Sequence, residues 1–123
     1  DLHQFLVRFH EKEIKAIIQP FMLENVLRAL AAIDELPGLT VSQVLGWGQS
    51  RAAETEDPVF EGGHAFARKT KLEVVVRDEL ADRVVTALVE AARTGRTGDG
   101  KVFVHEIERA IRVRTGEEGD HVL

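Results

Sequence analysis

Apolar and polar positions first alternate, then recur in threes and fours, then alternate again along this 123-residue chain. Residues 14–21, IKAIIQPF, are a short β-branched run closed by Pro20 and predict a buried strand. In residues 22–36, MLENVLRALAAIDEL, the positions Leu23, Val26, Leu27, Leu30 and Ile33 form one helical face, which Pro37-Gly38 ends. Residues 39–47, LTVSQVLGW, alternate at Leu39, Val41 and Val44 and predict a second strand. Between 48 and 69 the pattern dissolves into Gly, Pro, a Gly-Gly pair and the acidic cluster Glu54, Glu56 and Asp57, so a long loop is expected there. Residues 70–78 form a third strand, with Lys71 and Glu73 alternating against Leu72 and Val74. A second amphipathic helix follows over 79–93 on Leu80, Val84, Leu88 and Ala91, and a fourth strand over 101–107. The order βαββαβ predicts an α+β ferredoxin-like sandwich, an antiparallel sheet with two helices on one face. That fold serves many functions, so function has to come from particular residues.

Composition narrows the classes. Hydrophobic content of 44% and charged content of 30% fit one globular domain, and no apolar run reaches the length of a membrane span. With no cysteine the chain can form no disulfide, thiolate metal site or Cys nucleophile, and the expected compartment is the cytoplasm. A net charge of −5 with no long basic stripe argues against nucleic acid as a partner. The chain opens on Asp1, and residues 1–12 lack a clear period; they are read as an N-terminal extension or tag, with one domain over 13–123.

Against this acidic background, basic residues gather around two glycine-containing turns. In TGRTGDGKVFV, Gly95, Gly98 and Gly100 let backbone amides approach an anion, with Arg96 and Lys101 beside them. A Walker A loop would require Gly-Lys-Ser/Thr opening a helix, whereas Val102 opens a strand. A plain helix-to-strand turn with solvated charges explains this segment equally well. In IRVRTGEEG, Arg112 and Arg114 lie two apart, so in extended chain both guanidinium groups would point the same way and suit one phosphate.

These two segments resemble the B-loop and C-loop signatures of the PII signal-transduction proteins, and the likeness extends through IKAIIQPFMLENVLRAL, GLTVSQVLGWG and KTKLEVVV in the same order. The resemblance implies a homotrimer of ferredoxin-like subunits, not an enzyme, with ATP or ADP, with or without Mg²⁺, in each inter-subunit cleft. It implies that Arg96, Gly98, Asp99, Gly100, Lys101, Arg112 and Arg114 surround the phosphates. Ile17, Gly46, Gly48, Glu73 and Val75, with Thr40 nearby, would surround adenine and ribose, and Lys69 would meet a carboxylate of 2-oxoglutarate. The stretch 48–69 takes the place of the T-loop, the arm that docks on protein partners; a membrane transporter or a metabolic enzyme is the expected partner.

The arm departs from the family. Aligned without gaps, the family's modifiable tyrosine falls at Gly62, and the chain contains no tyrosine, so uridylylation there is impossible. The glutamine that helps hold Mg²⁺ and 2-oxoglutarate falls at Ser50, which argues against 2-oxoglutarate sensing although Lys69 is kept. Two other classes are weighed against a nucleotide-responsive regulator. A metal-responsive regulator would use His64 with arm carboxylates. A slow ATPase would need Asp99 or Glu106 as a base.

Overall fold

The computed structural model describes residues 11–47 and 58–123. Strand β1 (Glu11–Ile18) leads through a one-turn 3-10 helix (Pro20–Met22) into helix α1 (Leu23–Ala31). Strands β2 (Thr40–Gly46), β3 (Val59–Glu61) and β4 (His64–Arg77) follow, then helix α2 (Asp78–Ala92) and strand β5 (Gly100–Ile107). A turn over 113–115 and a last 3-10 turn (Asp120–Val122) complete the chain. The main sheet is antiparallel in the order β2-β4-β1-β5, the ferredoxin-like arrangement that the βαββαβ pattern predicts. Among the described residues, no helix is long and apolar enough to cross a membrane.

Period-two burial builds the core. Ile14, Ala16 and Ile18 of β1 and Leu72, Val74 and Val76 of β4 point to one side of the sheet, where both helices cover them. Val26 and Leu30 of α1, four apart, and Ala81, Val84, Leu88 and Ala92 of α2, at spacings of three and four, supply the other half. Leu80 and Ala91, expected on the buried face of α2, flank it half-buried. Asp78 and Glu79 place negative charge in the first turn of α2, where the helix dipole favours it. Among the described residues, no helix lies on the opposite face of the sheet. On it lie Lys15 and Ile17 of β1, Lys71, Glu73 and Val75 of β4, and Lys101, Phe103 and His105 of β5.

Three boundaries differ from the expected ones. β1 begins at Glu11 because Glu11 and Lys12 pair with both Arg77-Val76 and Ile107-Glu106, so these two residues belong to the sheet rather than to an extension. α1 ends at Ala31, and tight turns through Ile33 and Leu36 carry the chain to Pro37. The largest difference is in the expected loop. Residues 59–61 and 64–69 are strand, joined by a two-residue turn in which Gly62 and Gly63 have φ of 56° and 82°. Both central residues of such a turn need positive φ, which is why a Gly-Gly pair closes the hairpin. Gly62, where a tyrosine would be expected from the resemblance, is thus a glycine that the turn requires.

Candidate functional site

The loop between α2 and β5 is organised by Asp99. Its carboxylate accepts hydrogen bonds from the Thr94 hydroxyl, the Thr94 amide (2.7 Å) and the Gly95 amide (2.9 Å). The Thr94 side chain is the main cause that lowers the Asp99 pKa, with the two amides adding to it. Asp99, expected among the ligand contacts, is thus committed to shaping the loop. On the far side of the loop, Lys69 of β4 donates from Nζ to the Gly98 carbonyl (2.8 Å). Gln19, which sequence reasoning does not single out, also presses here: its Nε2 lies 3.1 Å from where a Gly98 β-carbon would stand. The signal for it lies in register, since Ile18 pairs with Gly100.

Gly100 has φ of 110°, and a β-carbon on it would come within 1.7 Å of the Ile17 carbonyl oxygen. Ile17 in turn pairs with Lys101 on one side and Lys71 on the other. Gly46 pairs with Ala67 at the same end of the sheet. Ile17, Gly46, Lys69, Gly98, Gly100 and Lys101 therefore gather at one end of the open face. Arg96 joins them on the loop, and Gly48 lies outside the described residues. The side chains of Arg96 and Lys101 make no hydrogen bond or ion pair within the described residues.

Thr40, Glu73 and Val75 sit further along the face. Thr40 pairs with Glu73, and Val75 with Glu13, and all four line a groove of about 380 Å³ together with Pro37–Leu39 and Leu123. From Lys69 to Val75 is six residues of extended strand, ~20 Å. Within that span Lys71, the partner of Ile17, is only two residues (~7 Å) from Glu73 and meets it at 3.5 Å, so Glu73 and Thr40 adjoin the cluster around Ile17 and Val75 lies furthest from it. Lys69, Lys101 and Arg96 bring positive charge to the glycine-loop end, Lys71 pairs with Glu73 where the two stretches meet (3.5 Å), and Glu13 meets His105 (2.8 Å).

The Arg112–Arg114 segment is not extended. The Arg112 amide donates to the Glu117 carbonyl (2.8 Å) and the Gly116 amide to the Arg112 carbonyl (2.8 Å), so residues 113–115 turn and the two arginines do not share a strand face. A bridge between Ile111 and Glu118, reinforced by a bidentate Arg109–Glu118 pair (2.8 and 3.0 Å), pins the base of the turn. The Arg112 guanidinium reaches Glu117 (3.3 Å) and the His121 carbonyl (3.0 Å), which ties this turn to the segment that borders the groove. The Arg114 side chain has no polar partner within the described residues.

The other candidates are placed as follows. His64 stands edge-on to Trp47, ring centroids 5.7 Å apart, across the hairpin from Glu61. Among the described residues, no group of three or more His, Cys, Asp or Glu could hold a metal ion. Ser50 and the carboxylates at 54, 56 and 57 fall outside the described residues. Glu106 forms an ion pair with Lys12 (3.4 Å), and Asp99 is occupied by its loop.

Comparison with known proteins agrees with the order of elements. The profile of the family described as Nitrogen regulatory protein P-II matches residues 11–117. The Nitrogen regulatory protein P-II of Haemophilus influenzae is 44% identical over 115 residues, covering 91% of this chain and 99% of that one. The Nitrogen regulatory protein P-II 1 of Escherichia coli is 43% identical over 115 residues with the same coverage. Among solved structures, Arabidopsis thaliana PII bound to citrate superposes with a TM-score of 0.74 at 35% identity, covering 93% of this chain and 92% of that one. Proteins of this family are signal-transduction regulators rather than enzymes, and the chain, matched along nearly its whole described length, belongs to the nitrogen regulatory P-II family.

Proposed function

We propose that this regulator senses adenine nucleotides. ATP or ADP sits between two copies of the chain, its phosphates on the glycine loop of one and its base in the Thr40–Glu73–Val75 groove of the next. The observation that carries this reading is the open sheet face, which presents both the glycine loop and the Thr40–Glu73–Val75 groove. The loop cluster meets β4 at Lys69 and Lys71 and the groove meets it at Glu73 and Val75, neighbouring stretches of one open face that a second copy can cover. A loop of one copy set against the groove of the next is a head-to-tail contact, which closes into a ring such as a homotrimer.

The residues present suit a polyphosphate. Lys101, Arg96 and Arg114 are cations without competing side-chain partners in the described chain. At Gly98 and Gly100 a β-carbon would press on Gln19 and on the Ile17 carbonyl, so glycine is what lets the loop take this shape beside the cations. The citrate in the Arabidopsis relative is a polyanion, in keeping with a fold that receives such ligands. Mg²⁺, where it accompanies ATP, would be held chiefly by the phosphates.

The output is the arm, residues 48–69. Bound ATP and ADP differ by one phosphate, and only differential contact with that group can shift the arm between conformations. A membrane transporter or a metabolic enzyme is the partner class, met in the cytoplasm. Because the arm lacks tyrosine and places Ser50 at the family's glutamine position, its control rests on nucleotide rather than on uridylylation or 2-oxoglutarate. Calorimetric titration with ATP, ADP and AMP tests the reading. Saturable binding of ATP and ADP with a weaker response to AMP supports it, and no heat from any of them at submillimolar concentration refutes it.

A further inference from the structure

Resting on this nucleotide reading, we infer that the C-terminal segment 117–123 is a latch that competes with the nucleotide for both parts of the groove half-site. Two contacts made by one short segment carry the inference. Arg112, a phosphate candidate, spends its guanidinium on the Glu117 carboxylate (3.3 Å) and the His121 carbonyl (3.0 Å). Two residues further on, Leu123 lines the groove beside Thr40, Glu73 and Val75. The same segment thus offers Arg112 an internal carboxylate where phosphate would bind, and offers the groove an aliphatic side chain where a base would lie.

The segment is held just firmly enough to act this way. Glu117 also meets the His121 ring (Oε2 to Nε2, 3.2 Å), the Gly119 amide donates to the Ala110 carbonyl (3.1 Å), and the Val122 amide to the Gly119 carbonyl (3.2 Å). The Arg112–Glu117 pair is partly solvated, with side chains 35% and 48% exposed, and pairs of this kind are weak. A phosphate brings more charge and a better match to the guanidinium fork, so it can displace Glu117. Nucleotide affinity is then set by how often the latch is open, since a competent fraction below one lowers apparent affinity in proportion.

The opposite role is equally concrete. Glu117 could hold Arg112 in its binding pose, in which case removing it would weaken binding. Titration of the unaltered chain, Glu117→Gln and a variant lacking 120–123 with ATP, and separately with adenosine, decides between them. The latch predicts about two- to five-fold tighter ATP binding for Glu117→Gln, the worth of an exposed ion pair, with adenosine unchanged. It predicts tighter binding of both ligands for the truncated variant. Unchanged or weaker ATP binding in Glu117→Gln overturns the latch while leaving nucleotide sensing intact. If none of the three proteins binds ATP, the nucleotide reading itself fails, and the latch with it.

Discussion

The α-carbon of Gly100 faces the carbonyl of Ile17 so closely that no side chain fits between β5 and β1 at that point. The contact fixes the start of β5, and through it the place where the loop Thr94–Gly100 leaves the sheet. Gly100→Ala requires both a clash with backbone and a residue at φ of 110°, so it should cost about 3 kcal/mol or more of stability. Thermal unfolding of the variant measures this; a melting temperature within a degree or two of wild type would contradict so close an approach of the two strands.

Asp99 makes the shape of that loop pH-dependent. Its carboxylate pKa is lowered from the ordinary value of 3.8, chiefly by the Thr94 side chain. A depressed folded-state pKa means that the ionised carboxylate favours the ordered loop. The contribution is complete above pH about 4 and is lost as pH falls through the lowered value. Amide-exchange protection at Thr94 and Gly95 should therefore fall below pH 3.8 in wild type. In Asp99→Ala it should be weak already at pH 7.

Lys101 and Arg112 stand on different half-sites but should both bear on the phosphates. Lys101→Ala or Arg112→Ala is expected to weaken ATP binding by ~1.5–3 kcal/mol, the range for a charge-assisted hydrogen bond. Both side chains lie outside the buried core, so melting temperatures should stay close to wild type. Lys69→Met loses the bond to the Gly98 carbonyl and should act indirectly, with a smaller loss of affinity and faster exchange in the loop.

The arm should be separable from the body. Between 58 and 65 no described residue is buried; Ala67 is the first of β4 that is, and Phe60 is 71% exposed. Deleting 52–65 should leave a folded, nucleotide-binding protein that no longer engages its partner. Circular dichroism and the ATP titration check the first half, and pull-down of the partner the second. Unfolding of the deletion variant would show that the hairpin β3–β4 supports the fold.

Much of this architecture is legible in the sequence, because burial follows local periods. Ile14, Ala16 and Ile18 alternate, and Val26 and Leu30 lie one helical repeat apart, so strand and helix can be read from spacing alone. The hairpin is obscured because Gly62-Gly63 amid polar residues looks like loop composition, although the same pair is the signal for a two-residue turn. The Arg112–Arg114 turn is hidden for a related reason: an alternating apolar-basic pattern suggests a strand, while Gly116 and the Arg112–Glu117 backbone bond close a turn. Spacing cannot show that Ile17 and Val75 lie on one face, since that depends on the register of β1 against β4 and β5.

A subunit-mixing experiment puts the sharing of nucleotide between neighbours to its most direct test. Lys101→Ala disables the glycine-loop half-site and Arg112→Ala the groove half-site, so neither variant alone should bind ATP with normal affinity. Co-refolded, the two should form mixed rings in which some clefts pair an intact loop with an intact groove, and wild-type affinity should return at a fraction of the sites. If the mixture binds no better than its two components, the glycine loop of one copy and the groove of the next do not make one cleft, and the nucleotide is not held between neighbouring copies.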